Sequence, residues 1–326
     1  MRNLCTHPVD ILFLGSNWQS VEVLKTLHRD TRFNIVGVIT TVDKPFGRKQ
    51  ILTPSLVKEY ARKNSIEVFH TEKDSRKYRE ALDIFKPELI VCIAFGEILP
   101  EFFINYPKYS SVNVHFSILP KYRGAVPIQK AILEGEEETG ISIMLMSEKL
   151  DEGDLLKILK EPILKSDTNL SLREKLVNRT SHILGNTLEE WIRGEIVPVK
   201  QESSKATYCW QRDISKKNAE IDWDKMQPEY IERMVRAMIP WPDAWTALKN
   251  NREEGIEGIT LQILEAELIN CNTKLKPGTL FVSSNQLLFS TNNSKICLRT
   301  KKLKVAGRKE MTEQSFLNGT GRRLAT

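Results

Sequence analysis

The chain has 326 residues, 40% of them hydrophobic and 28% charged, with a net charge of +6. That balance supplies apolar cores for about two domains and excludes a disordered tail, a collagen-like repeat and a small disulfide scaffold. No apolar run reaches the roughly 18 residues of a membrane span, and residues 1–8 lack the apolar centre of a signal peptide, so a soluble, cytoplasmic chain without membrane contact is expected.

Ile11-Leu12-Phe13-Leu14 reads as a buried strand, Gly15-Ser16 as a turn, and Val21, Val23, Leu24 and Leu27 as one helix face. Residues 35–40 form a second strand, Ser55 caps a helix running to Lys63, and residues 67–69 form a short third strand. Residues 89–94 are apolar on both faces, as a central parallel strand would be. Strands spaced by helices imply right-handed βαβ units, hence an α/β, Rossmann-like doubly wound, mainly parallel sheet. A strand at 111–115, a helix at 127–133 and a long strand at 141–146 follow. Then comes a helix with Leu172, Leu176, Ile183, Leu184, Leu188 and Ile192 at helical spacing. Residues 194–206, with Pro198, Gln201, Glu202, Ser203 and Ser204, read as a linker. Beyond it lie a helical piece near 230–238 and a Pro-Trp-Pro turn. Short strands at 261–264, 279–282, 287–290 and 295–299, separated by Asn, Gly, Pro and Ser, then predict a small β-barrel (OB-like). The expected division is a first domain over 1–193, a linker over 194–206 and a C-terminal domain over 207–326.

Cys5, Cys92, Cys209, Cys271 and Cys297 are scattered, odd in number and free of Cys-x-x-Cys spacing, which suits reduced thiols better than disulfides or zinc. Charge is uneven. From Cys271 onward eleven basic residues face only Glu310 and Glu313, a local charge of +9 that suits a polyanion such as nucleic acid or, equally, a solvated lysine-rich face. Lys44, Arg48 and Lys49 on a Pro/Gly-shaped loop suit phosphate contacts in the same way.

The first turn holds one glycine instead of Gly-x-Gly-x-x-Gly, and neither a P-loop nor His-Glu-x-x-His occurs. The chemistry points elsewhere. Asn113 and His115, two apart on a strand, share one face at its carboxyl end, where open α/β sheets bind ligands. An amide and an imidazole aimed at one point can stabilise a developing oxyanion. A lone His is more often structural, but the adjoining Asn and the loop of Pro120, Gly124 and Pro127 favour a site. Asp151, Glu152 and Asp154, after the strand 141–146, compete as the carboxylate that orients His115.

Asn113-Val114-His115, Ser117-Ile118-Leu119-Pro120, Tyr122-Arg123-Gly124-Ala125 and Leu150-Asp151-Glu152-Gly153-Asp154 together resemble the 10-formyltetrahydrofolate-dependent formyltransferases. The resemblance runs along the whole chain. It implies a catalytic trio of Asn113, His115 and Asp151, no metal, and 10-formyltetrahydrofolate as co-substrate. Phe95-Gly96-Glu97-Ile98-Leu99-Pro100 resembles the family's folate-pocket loop, with Phe95, Gly96, Ile98 and Leu99, together with Ser117, Ile118, Leu119 and Pro120, implied as folate contacts. Glu97 stands where the family commonly has an apolar residue, and Phe116 where it has a glycine. Residues 41–49, Ala206-Thr207-Tyr208, Ile221-Asp222-Trp223, the segment 240–245 and the segment 306–311 resemble the tRNA-specific branch. That branch implies methionyl-initiator tRNA as partner of a monomer, with Lys44, Arg48, Lys49, Lys301, Lys302, Lys304, Arg308 and Lys309 as its contacts. The tryptophans of those segments are expected to pack, not to stack on bases. Rival readings are an amino-sugar-nucleotide N-formyltransferase, a formyl-folate hydrolase and a non-catalytic RNA-binding module.

Overall fold

The computed structural model describes residues 7–47, 49–248 and 259–319. The chain divides into two compact units, one of residues 1–127, 138–162 and 173–208, the other of 128–137, 163–172 and 209–326.

The first unit begins with β1 (Val9–Gly15), α1 (Trp18–Arg29) and β2 (Phe33–Ile39), then a hairpin of β3 (Lys44–Phe46) and β4 (Ile51–Thr53). It continues through α2 (Leu56–Lys63), β5 (Val68–Phe69), α3 (Ser75–Phe85), β6 (Leu89–Ile93), α4 (Glu101–Ile104), β7 (Ser111–His115) and β8 (Arg123–Gly124). After α5 (Pro127–Glu134), which falls mostly in the second unit, come β9 (Glu138–Leu145), β10 (Leu155–Pro162) and α6 (Asn169–Arg193). The sheet order is β10-β9-β7-β6-β1-β2-β5. The pairs among β5, β2, β1, β6 and β7 are parallel, while β9 and β10 run antiparallel at one edge. The expected mainly parallel, doubly wound sheet is therefore present.

Local chemistry accounts for its elements. All five residues of β6 are buried, as a strand covered on both faces requires. Asn17 caps α1 by accepting from the Ser20 N–H, and Ser55 caps α2 by accepting from Lys58 N–H. Strand order reverses around β1, with β2 and β5 to one side and β6 and β7 to the other, so the loops after β1 and β6 leave the sheet at a switch point.

The second unit takes in β11 from Cys209 of its span (Tyr208–Cys209), then α7 (Pro228–Met238), β12 (Ala244–Leu248), β13 (Ile259–Asn270), β14 (Leu280–Ser283), β15 (Gln286–Ser290), β16 (Ile296–Val305), β17 (Glu310–Thr312) and α8 (Glu313–Asn318). Its antiparallel sheet runs β12-β13-β16-β15-β14, with β17 also on β16. Two register shifts near Glu265 in β13 mark a bulge, the usual means of bending such a sheet. Trp223 is buried and stacks on Phe289 at 4.7 Å, and the Trp245 Nε1–H donates to Lys216 O, so both pack as expected. Trp241 does not; half of its surface is exposed.

One expectation is corrected. Cys271 and Cys297 form a disulfide, with Cα atoms 5.8 Å apart. Antiparallel pairing of β13 with β16 sets Ile269 against Cys297 and brings Cys271 to the same end, a juxtaposition that spacing along the chain does not reveal. Cys92 and Cys209 are buried and take no part in a disulfide, and Cys5 lies outside the described residues.

Candidate active site

β7 carries Asn113 and His115 on one face, with Val112 and Val114 buried on the other. His115 is buried, and the Asn113 carboxamide is half-buried with no hydrogen-bond partner among the described residues. Three acids competed for the imidazole, and Asp151 is the one that meets it. Its Oδ2 lies 3.3 Å from His115 Nε2 and accepts the Gly124 N–H at 2.7 Å. Glu152 turns instead to Arg123, 2.9 Å from Nη1, while Asp154 serves β9 through its backbone carbonyl, which accepts from Leu145 N–H.

The imidazole is held on both sides. Ser117 Oγ donates to Lys121 O at 2.6 Å and lies 3.0 Å from His115 Nδ1. On the other side, Nε2 lies 3.2 Å from Gly124 O, so a hydrogen there is shared between that carbonyl and Asp151. Burial pushes the Asp151 carboxyl up. The hydrogen bond and charge of His115, the Gly124 N–H and the charge of Arg123 outweigh it and hold the group below the ordinary carboxylate value. Burial, then the negative charge of Asp151, pushes the Cys92 thiol on the neighbouring strand up to about 12.

Asp151 sits in the left-handed region at φ 53°, which aspartate, like asparagine, tolerates better than most residues other than glycine. The loop that holds it is tightly built. A Cβ on Gly153 would lie 1.7 Å from Leu145 O, so only glycine fits there. Gln201 Nε2 donates to both Asp151 O and Gly153 O at 2.8 Å. Gln201 in turn accepts from Arg123 Nε and Nη2, at 3.2 and 2.9 Å. Gln201 lies in the stretch expected to be a linker; what marks it is the pairing of Val199 with Leu155, which draws residues 199–201 against β10.

The residues expected to touch folate divide into scaffold and surface. Phe95 and Leu99 lie in the hydrophobic core above β6, and Ser117 and Leu119 are buried, Leu119 N–H donating to Ser142 Oγ. Ile98 is 90% exposed, Gly96 is exposed, and Ile118 and Pro120 are half-buried. Glu97 is anchored. Its carboxylate accepts from Tyr78 OH, Thr71 Oγ1 and the Lys73 N–H, at 2.8, 3.0 and 3.2 Å. Phe116 is buried.

The basic residues are less free than their count suggests. Lys301 pairs with Glu267 at 2.6 Å and Lys302 with Glu310 at 3.1 Å, while Arg299 is held by Glu267 and Glu313. The count from Cys271 omits β13, whose Glu267 lies across from Arg299. Arg308 and Lys309 are exposed and Lys304 is half-buried. Lys44 and Lys49 are exposed on a β-hairpin where a Pro/Gly-shaped basic loop was expected, and Arg48 lies outside the described residues. Among the described residues no three His, Cys, Asp or Glu side chains are grouped to hold a metal ion, and no helix is long and apolar enough to cross a membrane.

Comparison with known proteins identifies the family. Residues 9–188 match the formyl transferase family and residues 213–321 its C-terminal domain. The methionyl-tRNA formyltransferase of Halalkalibacterium halodurans is 39% identical over 316 residues, 97% of this chain and 96% of that one. The enzyme of the same name from Enterococcus faecalis is 37% identical over 317 residues, 97% of each chain. Among solved structures, an N-formyltransferase from Helicobacter canadensis in complex with folinic acid and dTDP-3-aminofucose superposes with a TM-score of 0.65 at 20% identity, covering 90% of this chain and 99% of that one. HypX from Aquifex aeolicus in complex with tetrahydrofolic acid gives 0.61 at 15% identity, over 97% of this chain and 48% of that one. Those two likenesses share a fold; the sequence matches along both units establish that this chain belongs to the formyl transferase family.

Proposed function

We propose that this chain transfers the formyl group of 10-formyltetrahydrofolate to the α-amino group of methionyl-initiator tRNA, in the cytoplasm where translation begins. The observation that carries this reading is the His115–Asp151 pair beside the unpartnered Asn113, in a chain matched along 97% of its length by methionyl-tRNA formyltransferases. The residues fit such a donor. The Asn113 carboxamide has donor and acceptor capacity to spare, and Ile98 presents an apolar side chain to a flat ring from the loop after β6.

The donor supplies a formyl carbon activated by its attachment to nitrogen. Asn113 and His115 donate to the formyl oxygen as it gains charge when the amine adds. For His115 this means redirecting the Nε2 hydrogen shared by Gly124 O and Asp151, both at more than 3.1 Å. Asp151, ionised in its depressed range, holds the imidazole and accepts the proton that the amine loses. The new C–N bond forms, the bond to the folate nitrogen breaks, and that nitrogen takes up a proton. Lys44, Lys49, Lys304, Arg308 and Lys309 contact tRNA phosphates, with Lys301 and Lys302 contributing where their glutamate partners yield. We place the catalytic domain at 1–193 and the tRNA-binding domain at 207–326.

The test is a screen of acceptors with labelled formyl donor. Charged initiator tRNA is expected to be labelled. Label in an amino-sugar nucleotide instead, or formate released without an acceptor, would overturn the reading.

A further inference from the structure

Gln201 and Arg123 are both buried, and neither has a place in the reaction as described above. Arg123 is 1% exposed, and its guanidinium forks onto Gln201 Oε1 through Nε and Nη2 while Nη1 meets Glu152 and Tyr208 OH. With its oxygen occupied in this way, the Gln201 carboxamide is locked, and its two N–H groups point to Asp151 O and Gly153 O. Those carbonyls flank the left-handed turn that aims the Asp151 carboxylate at His115. The glutamine itself is fixed from behind by the Val199–Leu155 bridge to β10.

We infer that Gln201, locked by Arg123, is a positioning residue that sets the Asp151 backbone so that its carboxylate reaches His115 Nε2. Gln201 touches no reacting atom and acts through Asp151. The inference rests on the catalytic role of Asp151 proposed above. The ionisable groups around that carboxylate are His115 on β7, Arg123 on β8, Glu152 beside it and Cys92 on β6.

The experiment uses the full chain, with 10-formyltetrahydrofolate and charged initiator tRNA as substrates. Gln201→Glu keeps the oxygen that accepts from Arg123 but loses both donors. Its kcat is expected to fall on the order of 10²-fold, the scale of an ångström-sized misplacement of a catalytic group. The KM values stay within about twofold of wild type, and the acid limb of the kcat profile moves to higher pH as Asp151 loses its contact with His115. In an Asp151→Asn background the same change adds no further loss, since the group it positions is gone. Where Gln201→Glu reduces the yield of folded protein, Arg123→Lys removes the fork while keeping the charge, and the same kcat-selective loss is expected. An active wild type with an unchanged kcat in these variants, or a loss fully additive with Asp151→Asn, would overturn the inference alone. An inactive wild type would overturn the functional reading and this inference with it.

Discussion

Asp151 concentrates the energetics of the site in one side chain. Its folded-state pKa is depressed, so it stabilises the fold above the unfolded aspartate value of about 3.9, and that contribution is lost as pH falls through its folded value. Asp151→Asn should therefore shrink the difference in melting temperature between pH 7 and pH 3; an undiminished difference would contradict the ionised, paired carboxylate. In turnover, His115→Ala removes one hydrogen-bond donor and should cost about 2.7–4 kcal/mol of barrier with the fold intact, checked by kcat and circular dichroism. Cys92 gives a separate check on burial beside that charge. With its thiol pushed up to about 12, it should resist alkylation at pH 8 in the native protein and react only on unfolding. Ready native labelling of Cys92 would mean the space beside Asp151 is open to solvent. None of these environments follows from spacing alone. Three acids lie within four residues of each other, and only the backbone turn at Asp151, with Gln201 and Gly153 behind it, selects among them.

At the scale of elements, the loop from Ala94 to Pro100 is secured through Glu97 to Thr71, Lys73 and Tyr78. Glu97→Leu leaves the buried Tyr78 hydroxyl without that acceptor, at a cost of about 1–3 kcal/mol. If the loop holds folate, KM for the donor should rise while kcat changes little; an unchanged KM would detach the loop from donor binding. Helices α1 and α6 and strand β7 were legible because their apolar residues repeat at the period of the element, β1, β2 and β6 because they are continuous apolar runs, and α2 through its Ser55 cap. Helix α3 was not, since Tyr78, Ala81, Leu82 and Phe85 sit among five charged side chains that dilute the pattern. β12 was hidden behind the Pro-Trp-Pro segment, and β13 and β16 run well past the short strands expected. That extra length places Glu267 on Arg299 and Lys301 and joins Cys271 to Cys297, so the charge balance and the cysteine chemistry were both misread from the chain alone. The His115–Asp151 pairing was legible through family resemblance, while Gln201, in a stretch of Pro, Ser and Glu that reads as linker, carried no local signal.

For the molecule as a whole, the disulfide closes a loop spanning 26 positions, worth about 3.5 kcal/mol in a chain-entropy description. Reduction should lower the melting temperature of the second unit, and an unmoved transition would contradict a bond that constrains its unfolded state. In the function proposed above, the exposed Lys44, Lys49, Arg308 and Lys309 contact tRNA phosphates. Affinity for tRNA should fall with salt by roughly 0.9 in log K per duplex phosphate contacted and log unit of salt, and salt-insensitive binding would exclude phosphate contacts as the main attraction. The most direct test of the central claim is transfer of labelled formyl from 10-formyltetrahydrofolate to charged initiator methionyl-tRNA, with elongator methionyl-tRNA alongside. Selective label on the initiator is the predicted result. No label on either tRNA, with donor bound and folded protein in hand, would contradict it.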